Sequence, residues 1–291
     1  MANYIIPHPN AEGYILDSFQ LERDIPHVVR AMDNVIDSMH YPLEDQEEDA
    51  KNKRRMGLGV MGVANAIETL GYPYGSPLFL KSLEINLKTI RDGAYQASVN
   101  LAKERGAFPL FEAEKYLESK FVKTLPVELQ GGIRKYGIRN SHLLSIAPTG
   151  TISFCANYVS TGIEPVLHYE CDRTVQTFDG PTQVRVKDYG YSRYKTKGKL
   201  AADVTFDEHL AVQEVAQKFV DSAVSKTVNF WPSKNGEHFY EKDFHAIYTR
   251  AWKSGLKGIT VHNYEGKRAG LFKEVKEESD VMCSLEGKEC G

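Results

Sequence analysis

The chain has 291 residues, 42% of them hydrophobic and 26% charged, with a formal net charge of -3, which is the composition of a soluble globular protein with room for one large or two small domains. The charge forms no basic stripe, so a nucleic-acid partner is not expected; no apolar run reaches the ~18 residues of a membrane span, and the opening residues lack the basic and apolar regions of a secretory signal. Cys155, Cys171, Cys283 and Cys290 are too few for a disulfide scaffold and point to a reducing, cytoplasmic setting.

Along the chain, Ile25, Val28, Val29, Met32, Val35, Ile36 and Met39 form an apolar stripe that predicts a first helix. The charge-dense run from Glu44 to Arg55 reads as a solvated surface. It leads into Gly57, Gly59 and Gly62, which have the G-x-G-x-x-G spacing of a dinucleotide site. That spacing has its meaning only after a buried strand, and the charge run cannot be one. The glycines instead read as opening a helix over 60–70 and letting it pack closely on a neighbour. Leu83, Leu87, Ile90, Ala94, Ala97 and Leu101 predict a further helix, with Gly106 as its C-terminal cap. The first 140 residues therefore read as mostly helical.

Beyond them, "SHLLSIA" (141–147) reads as a strand, and 172–204 as irregular with room for a hairpin. Thr205 and Glu208 have capping-box spacing ahead of Leu210, Val215, Ala216, Phe219 and Ala223. Strands are expected at 225–230 and 257–262, flanking a helix over 241–254 that Gly255 ends. This spacing allows a parallel crossover, so the chain is expected to be α/β. Residues 1–272 read as the domain. Residues 273–291 read as a charged, flexible tail that carries Cys283 and Cys290.

The stretch richest in chemistry is "RNSHLLSIAPTGTISFCANYVSTGIEP". An apolar strand runs into Pro148, Thr149, Gly150, Thr151, Ile152 and Ser153. Gly150 removes side-chain bulk, and the backbone N–H groups and hydroxyls of this turn suit an anion such as a phosphate. Ligands of parallel α/β sheets sit at the carboxyl ends of strands, where this loop falls. A plain Ser/Thr-rich helix cap is the other reading. The stretch is not a P-loop.

The same stretch, with "RAMDNVID", "RRMGLGVMGVANAI", "LAKERGAFPLF", "AQKFVDSAVSKTVNF" and "AWKSGLKGITVHNYEGKR" in that order, closely resembles the large, catalytic subunit of ribonucleotide reductases over roughly residues 14 to 270. The resemblance implies the C-terminal half of a ten-stranded α/β barrel made of two half-barrels. It implies that the 148–153 loop holds the phosphates of a ribonucleoside di- or triphosphate, and that the glycine segment is structural. In such enzymes a thiyl radical on a cysteine in N-x-C-x-E reduces the ribose. None of the four cysteines here lies in that motif. A companion chain carrying that cysteine and the effector site is therefore expected, with this chain inactive alone; the alternative is a non-catalytic nucleotide-binding remnant.

The iron-dependent enzymes of the family carry a Tyr-Tyr pair after the final strand, and "GITVHNYEGKR" has none. The segment looks more like the adenosylcobalamin-dependent class, although His262 and Tyr264 depart from its pattern; a radical from a diiron small subunit is the alternative. Cys283 and Cys290, in "CSLEGKECG", match by position a C-terminal pair that relays electrons from a thioredoxin- or glutaredoxin-like reductant. Cys155 and Cys171 read as packed, inert thiols. Lys226 and Asn229 read either as pocket residues or as core strand residues. No metal site is expected, since the histidines show no ligand spacing.

Overall fold

The computed structural model describes residues 1–178, 180–231, 241–264 and 272–274. It opens on an antiparallel hairpin of β1 (Ile5–Pro7) and β2 (Tyr14–Leu16), which the sequence reading did not anticipate. α1 (Ser18–Ser38) begins where the Asp17 carboxylate accepts the Gln20 amide. α2 (Glu44–Lys53) is the charge run, with acids in its first turn and bases in its last, as the helix dipole favours. α3 (Val63–Thr69) starts three residues later than expected, because Gly62 is its left-handed N-cap. α4 (Pro77–Arg105) follows Ser76 and stops at Gly106, as expected.

All six apolar positions named for α4 are buried. In α1 only Ile25, Val29 and Ile36 of the stripe are; Val28, Val35 and Met39 face outward. Seven apolar positions cover more than the single face that α4 packs against. The short α5 (Ala113–Leu117) and α6 (Val127–Tyr136) complete the helical half.

Arg54 departs from the expected solvated run. Its side chain is 4% exposed and its guanidinium bonds Asp33 Oδ1 at 2.8 Å and Asp37 Oδ1 at 2.6 Å. Asp33, with no exposure, also accepts from Asn140 Nδ2 at 3.0 Å and Arg139 Nε at 3.3 Å. Ser98 donates to Asn140. One buried carboxylate thus joins α1, α4 and the chain on either side of the glycine segment.

The α/β half gathers four chain segments side by side. Met56 and Leu58 donate to His142 and Leu143, and Ser145 donates back to Leu58. Ile146 donates to Ala223, and Ser225 to Ile146. The bridges Leu58↔Leu144 and Ile146↔Val224 are both parallel. Residues 141–147 thus lie in the sheet through isolated bridges rather than as an uninterrupted strand. Gly57 and Gly59 allow the contact: a Cβ on Gly57 would lie 2.2 Å from Ser145 Oγ, and one on Gly59 2.4 Å from the Ser145 carbonyl oxygen. The close approach expected of these glycines is therefore to the 142–146 segment. Gly59→Ala is expected to lower stability by about 1–3 kcal/mol through overpacking, read as a lower urea midpoint at unchanged m-value.

β3 (Glu170–Thr177) and β4 (Gly180–Lys187) form the antiparallel hairpin for which 172–204 had room. α7 (Tyr189–Tyr194) follows. α8 (Phe206–Gln217) carries the capping box of Thr205 and Glu208 as read from sequence, but ends before Phe219 and Ala223. β5 (Thr227–Phe230), α9 (Glu241–Lys253) and β6 (Thr260–Asn263) form the expected unit, with β5 and β6 parallel from Thr227↔Thr260 to Phe230↔Asn263. β7 (Phe272–Glu274) pairs antiparallel with β3. Lys273 and Glu274, the first two residues of the expected tail, are thus in a strand; residues 275–291 lie outside the described residues. The architecture is α/β. No helix among the described residues is long and apolar enough to cross a membrane.

Candidate functional site

A cavity of about 430 Å³ opens between the loop that follows the carboxyl end of the 142–146 segment and one face of β5 and β6. That is the size of a small-ligand pocket. The loop after Ile146 supplies Pro148, Gly150 and Ser153; one face of β5 and β6 supplies Thr227, Asn229, Thr260 and His262, with Tyr264 just beyond; the hairpin supplies Cys171, Val186 and Lys187.

The loop is tightly built. Thr149 is left-handed, with φ 54°, and its carbonyl accepts the Ser153 amide at 3.0 Å. Its hydroxyl oxygen accepts the Gly162 amide at 2.8 Å. The Ser153 hydroxyl donates to the Gly150 carbonyl at 3.2 Å. Two donors expected to serve an anion, the Ser153 amide and hydroxyl, therefore close the turn instead. Among the described residues no protein acceptor takes the amides of Gly150 and Thr151. Gly150 and Thr151 are exposed, and a Cβ on Gly150 would meet nothing within 4 Å. Thr149, Thr151 and Ile152 do not line the cavity, and Ile152 is 57% exposed.

Glu164, which sequence reading passed over, also lines the cavity. Its Oε1 accepts the Thr227 amide at 2.6 Å and its Oε2 accepts Lys226 Nζ at 2.5 Å. Lys226 is a fully buried residue just before β5, so of its two readings the interior one holds; Asn229 is buried and lines the cavity. At the open end Tyr264 stacks on Trp231 with ring centroids 4.2 Å apart, and His262 meets Tyr264 edge-on. Burial pushes the Tyr264 phenol up to about 12, helped by the Glu164 charge. Cys171 is buried at the cavity wall, whereas Cys155 is exposed rather than packed. Cys283 and Cys290 lie outside the described residues. Among the described residues no three His, Cys, Asp or Glu side chains gather to hold a metal ion.

α3 supports the wall from behind. Asn65 Nδ2 donates to both Asp188 oxygens at 2.9 Å, and its Oδ1 accepts the Ser160 amide at 2.6 Å. Asp188 and Ser160 both line the cavity. A polar residue in the apolar run "VANAI" was the available signal. One turn on, burial pushes the Glu68 carboxyl up to about 7, against the pull of the Lys199 and Tyr74 amides that bond it. With its folded value above its ordinary 4.5, the folded state holds a proton that the unfolded chain releases. Stability therefore falls as pH rises from about 4.5 to 7. Both amides bond the same oxygen, Oε1, which a carboxamide oxygen can replace. Glu68→Gln is expected to flatten this slope and to be more stable than the parent at pH 8 by roughly 3 kcal/mol, measured by urea unfolding across pH.

The sequence matches the family model for the ribonucleotide reductase barrel domain over residues 5–188 and 183–262. It is 34% identical over 287 residues to the vitamin B12-dependent ribonucleoside-diphosphate reductase of Mycobacterium tuberculosis (strain CDC 1551 / Oshkosh), covering 89% of this chain and 38% of that protein. It is 30% identical over 256 residues to the ribonucleoside-diphosphate reductase subunit alpha of Helicobacter pylori (strain ATCC 700392 / 26695), covering 81% and 32%. The vitamin B12-dependent ribonucleoside-diphosphate reductase of Thermoplasma acidophilum is 28% identical over 283 residues, covering 88% and 34%. The chain thus spans well under half the length of these relatives.

Proposed function

Because the chain belongs to the ribonucleotide reductase barrel-domain family, we propose that it is the substrate-phosphate-binding part of such a reductase, one half of its ten-stranded barrel. The observation that carries this reading is the 148–153 loop, at the carboxyl ends of parallel segments, with the Gly150 and Thr151 amides open. Backbone donors of this kind suit phosphate oxygens. The names of the relatives favour a ribonucleoside diphosphate over a triphosphate.

The reaction is the reduction of a ribonucleotide to a deoxyribonucleotide by thiyl-radical chemistry. No N-x-C-x-E motif is present in these 291 residues; the radical cysteine is assigned to a companion chain, without which these residues do not turn over. The vitamin B12-dependent relatives favour adenosylcobalamin over the diiron alternative as the radical source. The cavity of about 430 Å³ is of small-ligand size, and the cobalamin's contacts are assigned mostly to the companion chain. This chain's own part is to hold and orient the phosphates and to exclude water beneath the hairpin. Cys283 and Cys290, oxidised together to a disulfide as two electrons pass to the active site, would be reset by a thioredoxin- or glutaredoxin-like protein.

Capture of the chain from its host, with mass spectrometry of what accompanies it, tests this. Recovery of a protein bearing N-x-C-x-E is expected, and the pair should reduce ribonucleoside diphosphate only with adenosylcobalamin. Recovery of the chain alone, from a host with no such protein, would leave the remnant reading.

A further inference from the structure

A buried charge beneath the cavity is not explained by phosphate binding. Lys226 is 1% exposed, and it has three acceptors for its three ammonium hydrogens: Glu164 Oε2 at 2.5 Å, the Thr227 carbonyl at 2.7 Å and His209 Nδ1 at 2.7 Å. Because His209 Nδ1 accepts, its ring proton sits on Nε2 and the ring is neutral. Burial, with the Lys226 charge beside it, holds this imidazole well below its ordinary range. A lysine with neither solvent nor cavity contact is costly to bury unless it is paired. Its pairing here has one geometric result: with the Thr227 amide on the other oxygen, the Glu164 carboxylate is fixed in one orientation.

That carboxylate remains 19% exposed and lines the cavity, where its free lone pairs need a donor. A phosphate repels it. A divalent cation is poorly served, because the Lys226 ammonium already matches the charge. Neutral hydroxyl groups fit. Their place in a ligand follows from the chain: Gly162 donates to Thr149 of the anion loop at 2.8 Å, and Glu164 lies two residues further on, within about 7 Å of backbone. The group that Glu164 faces is therefore next to the phosphates, and in a nucleotide that group is the sugar.

We propose that Glu164 accepts hydrogen bonds from the ribose hydroxyls of the nucleotide whose phosphates lie at the 148–153 loop, with Lys226 as the positioning residue that holds the carboxylate. This rests on the phosphate reading of the loop.

The chain as purified from its host, with any companion it retains, is titrated with inorganic pyrophosphate, a ribonucleoside diphosphate and the matching 2′,3′-dideoxy diphosphate. The unmodified protein is expected to bind the ribonucleotide at least tenfold more tightly than the dideoxy compound, the scale of one hydrogen bond to a charged acceptor. Glu164→Gln and Lys226→Met are each expected to shrink that ratio to near one while leaving pyrophosphate affinity within about twofold, a split that loss of fold cannot produce. Equal binding of the two nucleotides by the unmodified protein, alongside measurable pyrophosphate binding, would overturn the Glu164 assignment alone. Binding of none of the three would overturn it together with the phosphate reading.

Discussion

Replacing Gly150 with aspartate is expected to remove nucleotide binding while leaving the fold intact. The position has open space for a side chain, with nothing within 4 Å of an added Cβ, and its φ is not left-handed. A carboxylate there would stand about 5 Å from a bound phosphate, where two like charges at an effective dielectric of about 20 repel by roughly 3 kcal/mol. That is more than a hundredfold in dissociation constant. Gly150→Ala, which adds bulk without charge, should bind within a few-fold of the parent. Calorimetric titration with a ribonucleoside diphosphate, beside thermal melts that report folding, reads both outcomes. A well-folded aspartate variant with unchanged affinity would place the phosphates elsewhere in the cavity.

Asp33→Ala should be the most damaging single change to stability. It removes the acceptor of Arg54, Arg139 and Asn140 at once and leaves the guanidinium of Arg54 buried with only Asp37 to oppose it. Breaking one partner of a buried ion pair costs about 3–5 kcal/mol, and retention of Asp37 argues for the lower end. At ~2 °C per kcal/mol for a chain of this size, the melting temperature should fall by about 6 °C or more. Asp49, which pairs with Lys53 and Arg55 on the surface of α2, gives the contrast: Asp49→Ala should cost under about 1 kcal/mol. Denaturant unfolding of the two variants side by side would show whether burial sets the difference.

The elements that were legible in the sequence are those whose signal is local. α4 is written in six apolar residues at helical spacing, and α8 in a cap three residues from its partner acid. β5 and β6 are short apolar runs on either side of a helix. The turn over 148–153 was legible too, as small residues after an apolar run, but only in outline. Which of its donors remain open depends on Gly162, thirteen residues away, and on the left-handed Thr149. The rest was hidden because its partners are distant. Arg54 looks like any other base in a charged run until the fold brings Asp33 to it. Glu164 and Lys226 are sixty-two positions apart and carry no pattern that links them. Gly57 and Gly59 imitate a dinucleotide turn, and what they serve is contact with Ser145.

The parallel arrangement also sets a clock for biosynthesis. The segments that meet side by side run from Met56 to Tyr264, and helices fill the chain between them. Each pairing closes a long loop, and topologies dominated by such distant contacts fold slowly. The helical half, packed around α4, can form while the ribosome is still extending the chain. The cavity cannot, because β5 and β6 supply its far wall and emerge after that half. A nascent chain therefore passes through a period in which the 142–146 segment has Leu58 on one side and nothing yet on the other. Chaperone engagement should concentrate in that interval and end once Tyr264 has cleared the exit tunnel.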